Sequence, residues 1–134
     1  MPELANLRKA IDLLSESLDW YNNKTTAAPS EILRDSAIQR FEYTYELAWK
    51  MIKRWLAANI GAAYVDGVSR KELFRMAAEQ QLIDNPLKWF KYHEARNRTS
   101  HIYNESLAQD VFDVVEDFLD DVKKLFKALE SRND

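Results

Sequence analysis

The segment ARNRTSHIYNE, residues 95–105, contains residue types that can cleave a phosphodiester bond without a metal ion. His101 has a side chain that titrates near neutral pH, so it could take a proton from a ribose 2′-hydroxyl or return one to the leaving oxygen. Arg96 could supply the fixed positive charge that a phosphorane-like transition state needs. Asn97 lies four residues before His101, so on a continuous helix its amide could orient the imidazole. Tyr103 would lie just beyond, with an exposed hydroxyl.

Aromatic and basic residues precede this segment and could hold an unpaired nucleic acid strand. Residues 86–103 carry a net charge of +3, whereas residues 104–134 carry −5 and the whole chain −3. Aromatic rings can stack on unpaired bases, and cationic side chains can bind phosphates. The predicted stacking residues are Trp89, Tyr92 and the neighbouring Phe90, and the predicted phosphate-binding residues are Lys88, Lys91 and Arg98.

The same residues also have a structural interpretation. A histidine near a helix end commonly caps the last carbonyls, and an arginine among aromatic rings is often a packed surface residue. Paired acid and base catalysis needs two proton-transferring groups, and His101 is a single histidine. A symmetric homodimer that brings two copies of the segment together would supply the second, so dimerisation is part of the catalytic hypothesis.

Most other catalytic chemistries lack their residues in this chain. The absence of cysteine excludes disulfides, thiolate zinc sites and cysteine nucleophiles. The two histidines, His93 and His101, are eight residues apart and form a poor metal-binding pair, so we predict no metal site and no cofactor. Gly61 and Gly67 are the only glycines among 134 residues. This shortage excludes folds that need glycine-rich turns or phosphate-cradling loops.

The elements that must position the segment are predicted to be helices. Apolar residues at spacings of three and four predict the helices, and capping residues predict their ends. We predict a first helix from about Leu4 to near Asn22 and Asn23, a second from Ser30 to about Asn59 ended by Gly61 as a left-handed cap, and a third from a Ser69–Glu72 capping box to about Gln81. A fourth would begin with Asp84 or Asn85 as its cap and Pro86 at its first position and run toward Arg98, and one continuous last helix would run through Leu107 to Leu129. Residues 1–134 would form a single domain, an all-α antiparallel up-and-down four-helix-type bundle with an additional short helix.

The second predicted helix has apolar residues on more than one face. Tyr43 and Leu47 point away from its main apolar stripe, so the helix is either central or also packs against a partner. Glu42 and Glu46 share a face with Lys50 and Lys53, which favours a solvated face with a Glu46–Lys50 ion pair. The alternative is that the two glutamates contact a partner or Arg96.

The sequence indicates a cytoplasmic protein with no membrane association. No stretch approaches 18 uninterrupted apolar residues, the length that a membrane-spanning helix requires. The first 14 residues, MPELANLRKAIDLL, include charged residues among the apolar ones and lack the apolar run of a signal peptide.

At residues 38–50, IQRFEYTYELAWK, the sequence closely resembles the signature helix of the nucleotidyltransferase substrate-binding protein family, which belongs to the HEPN superfamily. Arg96, His101 and Tyr103 match the Arg-x4-His-x-Tyr motif of HEPN-type toxins. Residues 69–75 and 82–86 are also similar to the family, so the resemblance covers most of the chain after residue 30.

The resemblance implies a HEPN-like helical bundle that forms a homodimer with the motifs at the interface cleft. It also implies a partner, a minimal nucleotidyltransferase encoded nearby, in a two-component toxin–antitoxin-like module. In toxin members the motif carries a metal-independent ribonuclease activity, which the partner neutralises by transferring AMP to the motif tyrosine. The implied catalytic residues are Arg96 and His101 with Asn97 beside them, and Tyr103 is the implied modification target. The alternatives are a non-catalytic adaptor that binds a substrate for the nucleotidyltransferase, and a purely structural bundle.

Overall fold

The computed structural model describes residues 2–23, 28–101 and 104–132, except for the side chains of Pro2 and His101, and all regular structure within these ranges is helical. The helices are α1 (Pro2–Asn23), α2 (Ser30–Asn59), α3 (Ala62–Val65), α4 (Arg70–Glu79), α5 (Pro86–Arg98), a 3-10 turn (Thr99–His101), α6 (Glu105–Asp113) and α7 (Val115–Ser131). The predicted all-α helical bundle is therefore confirmed. None of the described helices is both long and apolar enough to cross a membrane.

Contacts between side chains show that α1 and α2 run antiparallel. Glu3, at the start of α1, pairs with Arg54 near the end of α2. Farther along α1, the Thr44 hydroxyl lies 3.3 Å from the Ala10 carbonyl oxygen. The partner's number falls as the α1 residue number rises, as antiparallel packing requires. Small side chains at this contact, such as Ala10 and Thr44, let the two backbones approach closely.

The core lies around α2, which packs against α1, α4, α5 and α7. A cluster of aromatic side chains at its centre is at most 2% exposed, and its members come from four helices: Phe41, Tyr45, Phe74, Trp89, Tyr92 and Phe118. Phe118 of α7 makes edge-to-face contacts with Phe41 and Trp89, at ring-centroid distances of 4.9 and 5.8 Å. Such contacts add to the burial energy of each ring, so this cluster fixes α5 against α2 and α7.

Helix caps account for the ends of the elements that flank the candidate segment. The Asn85 side chain accepts a hydrogen bond from the backbone N–H of Leu87 at 3.0 Å and starts α5, so Asn85 rather than Asp84 is the cap. The Ser69 hydroxyl oxygen accepts from the N–H of Glu72 at 3.1 Å and starts α4. These short polar side chains satisfy N–H groups that have no partner within the helix.

The prediction of one continuous last helix was wrong. α6 ends at Asp113, and α7 begins at Val115 after a break at Val114, whose φ and ψ angles are −93° and −6°. The apolar spacing passes through the break because both helices bury their apolar side against the same core. A pattern of spacings therefore does not detect the break.

The prediction for Gly61 was wrong in its conformation. Gly61 follows α2 with a positive φ of 126°, but its ψ of 136° lies outside the left-handed helical region. Its backbone allows the chain to start the four-residue helix α3, which was not predicted from the sequence. A positive φ of this kind is one that residues with a Cβ rarely adopt.

The left-handed residue that ends a helix is instead Gln81, with a φ of 61°. The N–H of Leu82 donates to the carbonyl of Ala77 at 2.9 Å, and the N–H of Gln81 donates to that of Ala78 at 3.0 Å. This is the Schellman arrangement at the end of α4, and it favours glycine at the left-handed position.

We expect Gln81→Gly to raise the free energy of unfolding by about 0.5–1 kcal/mol, because relief of left-handed strain exceeds the extra entropy that glycine loses on folding. Urea unfolding followed by circular dichroism measures the change. The matched control is Gln80→Gly, since Gln80 has a φ of −89° and no such strain to relieve. Equal or lower stability of Gln81→Gly relative to the wild-type chain would contradict the expectation.

Candidate functional site

Arg96, the arginine of the motif, lies in the last turn of α5 and faces α2. Its Nε is 3.2 Å from Glu46 Oε1, and its Nη2 is 3.9 Å from Glu42 Oε1. The two carboxylates belong to successive turns of α2, so they hold the guanidinium from one side. The Arg96 side chain remains 28% exposed. The alternative in which the glutamates contact Arg96 is therefore the one that the structure adopts.

The predicted Glu46–Lys50 ion pair is wrong within the part of the chain that the structure describes. Glu46 Oε2 accepts a hydrogen bond from the indole N–H of Trp49 at 3.0 Å. Lys50 Nζ instead lies 5.9 Å from the centre of the Trp49 ring. Because the Glu46 carboxylate contacts both the Trp49 indole and Arg96, it helps to join α2 to α5.

Thr99 fixes the end of α5 to α2. Its side chain is buried, and its hydroxyl donates to Glu42 Oε2 at 2.6 Å. Arg96 Nη1 lies 3.3 Å from the same hydroxyl oxygen. Glu42 therefore engages two residues of the motif segment, and the chain continues from there into the 3-10 turn that contains the backbone of His101.

A second anchor follows the motif segment. Both guanidinium Nη atoms of the buried Arg34 on α2 bond to the carboxylate of Glu105, the first residue of α6, with Nη2 at 3.2 Å from Oε2. The hydrogen bond with Arg34 lowers the pKa of Glu105, and the bond with Glu105 raises the pKa of Arg34. Asn104 caps α6 by accepting from the N–H of Ser106 at 2.9 Å. Residues 100–104 are therefore bracketed by two anchors on α2.

The described residues do not include the side chain of His101 or any part of Ile102 and Tyr103. The predicted roles of His101 as acid and base, and of Tyr103 as a modification target, therefore stay predictions. The helix does not continue regularly from Asn97 to His101, since α5 gives way to the 3-10 turn at Thr99. Asn97 Nδ2 lies 3.4 Å from His93 Nε2, so the described contact of this amide is with the other histidine.

His93 belongs to a hydrogen-bonded chain that joins α4, α2 and α5. Arg70 Nη1 donates to the Tyr45 hydroxyl at 3.1 Å, and that hydroxyl lies 2.8 Å from His93 Nδ1. Because the tyrosine oxygen accepts from Arg70, its proton is free to point to Nδ1, which assigns the neutral His93 proton to Nε2. With that assignment the oxygen of the Asn97 amide, rather than its nitrogen, would face Nε2.

The environment of this chain favours the neutral forms of Tyr45 and His93. Burial raises the pKa of Tyr45 to about 12. Burial, followed by the charge of Arg70, lowers the pKa of His93 from its ordinary value of 6.5, while Glu46 and Glu94 oppose the change.

We expect acid to destabilise the protein partly through His93. The folded state binds this proton less readily than the unfolded state, so the stabilising contribution is complete above about pH 6.5 and is lost as the pH falls through the lowered pKa. Thermal melting between about pH 7 and pH 5 measures the loss. His93→Gln, which can still bond to Tyr45, should show a smaller loss, and identical losses in both proteins would contradict the expectation.

The prediction that Trp89 and Tyr92 stack on nucleic acid bases was wrong. Their side chains are 1% and 2% exposed and belong to the aromatic core. The Tyr92 hydroxyl donates to the carboxylate of the buried Asp121, and burial raises the pKa of Tyr92. A base cannot reach either ring in this fold. Phe90 is half-buried and packs against the same core.

The predicted phosphate-binding residues Lys88, Lys91 and Arg98 are exposed on α5, together with Asn97. Their predicted roles stay predictions. No group of three or more histidine, cysteine or acidic side chains is arranged to hold a metal ion within the described ranges.

Arg34, Thr99 and Glu105 were not predicted from the sequence. Arg34 had a detectable signal, because it precedes the buried Ile38 by four residues and so places a charge on the buried stripe of α2. A charge on such a stripe needs a partner, and Glu105 is that partner. Thr99 had no such signal, since a threonine that follows a helix is commonly exposed to solvent.

Two proteins of known structure have a similar helical bundle. A protein from Haemophilus influenzae, described as having the fold of a substrate-binding domain of a nucleotidyltransferase, superposes with a TM-score of 0.85 at 30% identity. The match covers 95% of this chain and 98% of that protein. A protein from Thermus thermophilus superposes with a TM-score of 0.70 at 31% identity, over 94% of this chain and 97% of that one.

The family described as "nucleotidyltransferase substrate binding protein like" matches residues 2–131, and the chain therefore belongs to this family. A curated relative from Haemophilus influenzae, named probable ribonuclease HepT, is 33% identical over 116 residues. These residues make up 86% of this chain and 79% of the relative. The resemblance inferred from residues 38–50 and from the motif is confirmed at the level of the family.

Proposed function

We propose that the protein is a cytoplasmic HEPN-type partner of a minimal nucleotidyltransferase in a two-component module, and that it cleaves RNA through Arg96 and His101 without a metal ion. The observation that carries the proposal is the anchoring of the motif segment on α2. Glu42 and Glu46 hold Arg96 at one end, and Arg34 holds Glu105 at the other. The family description and the name of the curated relative support it.

Anchoring of this kind supports catalysis because a charge that is already in place costs no reorganisation during the reaction. The two carboxylates and Thr99 contact one side of the Arg96 guanidinium, and the side chain keeps 28% of its surface exposed. Arginine has five N–H donors, so donors remain for the oxygens of a phosphate.

In the proposed reaction, His101 removes the proton of a ribose 2′-hydroxyl, and the 2′-oxygen forms a bond to the adjacent phosphorus. The bond from phosphorus to the 5′-oxygen breaks, and a second histidine, from the other copy in a homodimer, donates a proton to that oxygen. Arg96 stabilises the negative charge on the non-bridging oxygens of the pentavalent phosphorus. The products are a 2′,3′-cyclic phosphate and a 5′-hydroxyl.

Exposed apolar side chains on α2 support a homodimer. Ile32 and Tyr43 are each 59% exposed. They are eleven residues apart, which is close to three turns, so they lie on one face of the helix. Tyr43 was predicted to point away from the main stripe.

The test of the proposal is the incubation of the purified protein with single-stranded RNA in the presence of EDTA. We expect cleavage, with 2′,3′-cyclic phosphate ends detected by mass spectrometry. Intact RNA after incubation with a folded protein would overturn the ribonuclease proposal.

The charge balance at Arg96 favours a second candidate function, a non-catalytic adaptor. An arginine that is neutralised by two carboxylates could serve only to join α5 to α2. In that case the protein would co-purify with its nucleotidyltransferase and leave RNA intact, whereas a ribonuclease would bind the same partner and cleave RNA when the partner is absent.

We further expect the nucleotidyltransferase partner to add AMP to Tyr103 when ATP is supplied. Mass spectrometry of the intact protein and its peptides measures the addition, and Tyr103→Phe should abolish it. Tyr64→Phe, at an exposed tyrosine on α3, is the matched control and should retain the modification. An AMP group on another residue would contradict the assignment. A bulky anion two residues from His101 would block the site by both charge and volume.

A further inference from the structure

A cavity of about 270 Å³ lies between α2, the start of α4 and α5, next to the motif segment but separate from it. Its apolar lining residues include Val65, Val68 and Leu73. Its polar lining residues include Lys53, Arg70 and His93. The volume is slightly below that of a typical site for a drug-sized ligand, about 300–1,000 Å³. It is suited to a small charged group with its immediate substituent.

The two cations at this cavity lack acidic partners in the part of the chain that the structure describes. Neither Lys53 nor Arg70 has a carboxylate oxygen within the 4.0 Å that defines an ion pair. The neighbouring carboxylates have other partners: Glu46 contacts Arg96, and Glu72 lies 3.5 Å from Arg75 Nη1. The cavity therefore has two positive charges that an anion would neutralise.

Arg70 is held in a fixed orientation at the cavity wall. Its guanidinium carbon lies 3.6 Å from the centre of the Trp49 ring, and its Nη1 donates to the Tyr45 hydroxyl at 3.1 Å. These two contacts restrain the guanidinium and leave its other N–H groups available. A restrained guanidinium presents a planar fork that matches the oxygens of a phosphate, and a lysine supplies a mobile point charge.

We propose that this cavity binds a phosphomonoester group, with Arg70 and Lys53 as its ligands and His93 among its lining residues. Arg70 covers one face of the Trp49 ring, and the two charges without acidic partners at the cavity are positive, so the phosphate is the group that we expect it to recognise. Phosphate binding in this cavity is a property separate from the proposed ribonuclease activity and does not depend on it. The phosphate can come from a free mononucleotide or from the 5′ end of an RNA strand.

The experiment is calorimetric titration of the full chain with AMP, inorganic phosphate and adenosine. We expect AMP and phosphate to bind and adenosine not to bind. Lys53→Ala and Arg70→Ala should each weaken AMP binding about tenfold, as for the loss of a charge-assisted hydrogen bond. The matched control is Lys9→Ala, which removes an equal charge from an exposed position on α1 and should bind AMP like the wild-type chain.

A 2′-O-methyl oligonucleotide, which cannot undergo attack by a 2′-hydroxyl, distinguishes the two sources of phosphate. Tighter binding of its 5′-phosphorylated form than of AMP would assign the site to RNA ends, and weaker binding would assign it to free nucleotides. In either case the His93 ring signal in the NMR spectrum should shift on binding.

Three outcomes would overturn the proposal: no binding of AMP at millimolar concentration, equal binding of adenosine and AMP, or equal losses in Lys53→Ala and Lys9→Ala. Lys53 is exposed, so its substitution remains informative if Arg70→Ala does not fold. His101→Ala should keep AMP binding, which separates failure of this site from failure of the ribonuclease proposal.

Discussion

His101→Ala is expected to lower the rate of RNA cleavage by at least about 100-fold, because general acid–base catalysis by a positioned side chain contributes about 10²–10⁴-fold. Arg96→Ala is expected to cause a loss of about 10²–10³-fold, since removal of one preorganised electrostatic group has an effect of that size. Initial rates on a fluorescent single-stranded RNA in EDTA measure both losses.

Arg96 needs further variants because it also joins α5 to α2. Arg96→Lys keeps one positive charge near Glu42 and Glu46, so it should fold more like the wild-type chain while losing the planar fork that can bind two phosphate oxygens. Melting temperatures recorded beside the rates separate loss of fold from loss of catalysis. The matched control is Arg8→Ala, which removes an exposed arginine from α1.

The pattern of rates decides between the two proposed functions. Full loss in His101→Ala with an unchanged melting temperature supports the ribonuclease. Equal cleavage by wild type, His101→Ala and Arg96→Ala would assign the activity to a contaminant and contradict the role of the motif.

Trp89→Ala is expected to lower the free energy of unfolding by about 3–5 kcal/mol, as for other large aromatic residues removed from a core. The Trp89 ring is 1% exposed and contacts Phe74, Tyr92 and Phe118 at centroid distances of 5.5, 5.4 and 5.8 Å. Chemical unfolding measures the change. A loss of this size distinguishes a core residue from a base-stacking residue, whose removal would weaken RNA binding and leave stability nearly unchanged.

The matched control for Trp89 is Tyr64→Ala, since the Tyr64 side chain is 70% exposed. Surface substitutions of this kind usually change stability by less than about 0.5 kcal/mol. A Trp89→Ala protein as stable as Tyr64→Ala would mean that the aromatic cluster does not form the core.

The helices that depend on local signals were predicted well from the sequence. The bounds of α2, Ser30–Asn59, were predicted as observed. α5 begins after Asn85, one of the two predicted caps, because Pro86 is suited to the first position of a helix. The break at Val114 was not predictable in this way, since it depends on how α6 and α7 pack against the core rather than on their own residues.

The candidate site was predictable only in its residue types. The spacing of the motif identified Arg96, but its carboxylate partners come from a helix fifty residues earlier, and only packing brings them together. Trp89 and Tyr92 were assigned to RNA because they lie among basic residues. Their spacing of three on an amphipathic helix also fits a buried stripe, and burial in the aromatic cluster is the stronger driving force.

The two anchors of the motif segment also constrain its length. Glu42 and Arg34 are eight residues apart on α2, which corresponds to about 12 Å along the helix axis. Six residues of continuous α-helix from Thr99 to Glu105 would rise only about 9 Å, and α5 gives way to a 3-10 turn at Thr99 before that distance is covered. The distance between Arg34 and Glu42 on α2 therefore limits how many residues can lie between the two anchors around His101. An insertion or deletion there would change how the segment fits between its anchors even if every residue of the motif were kept.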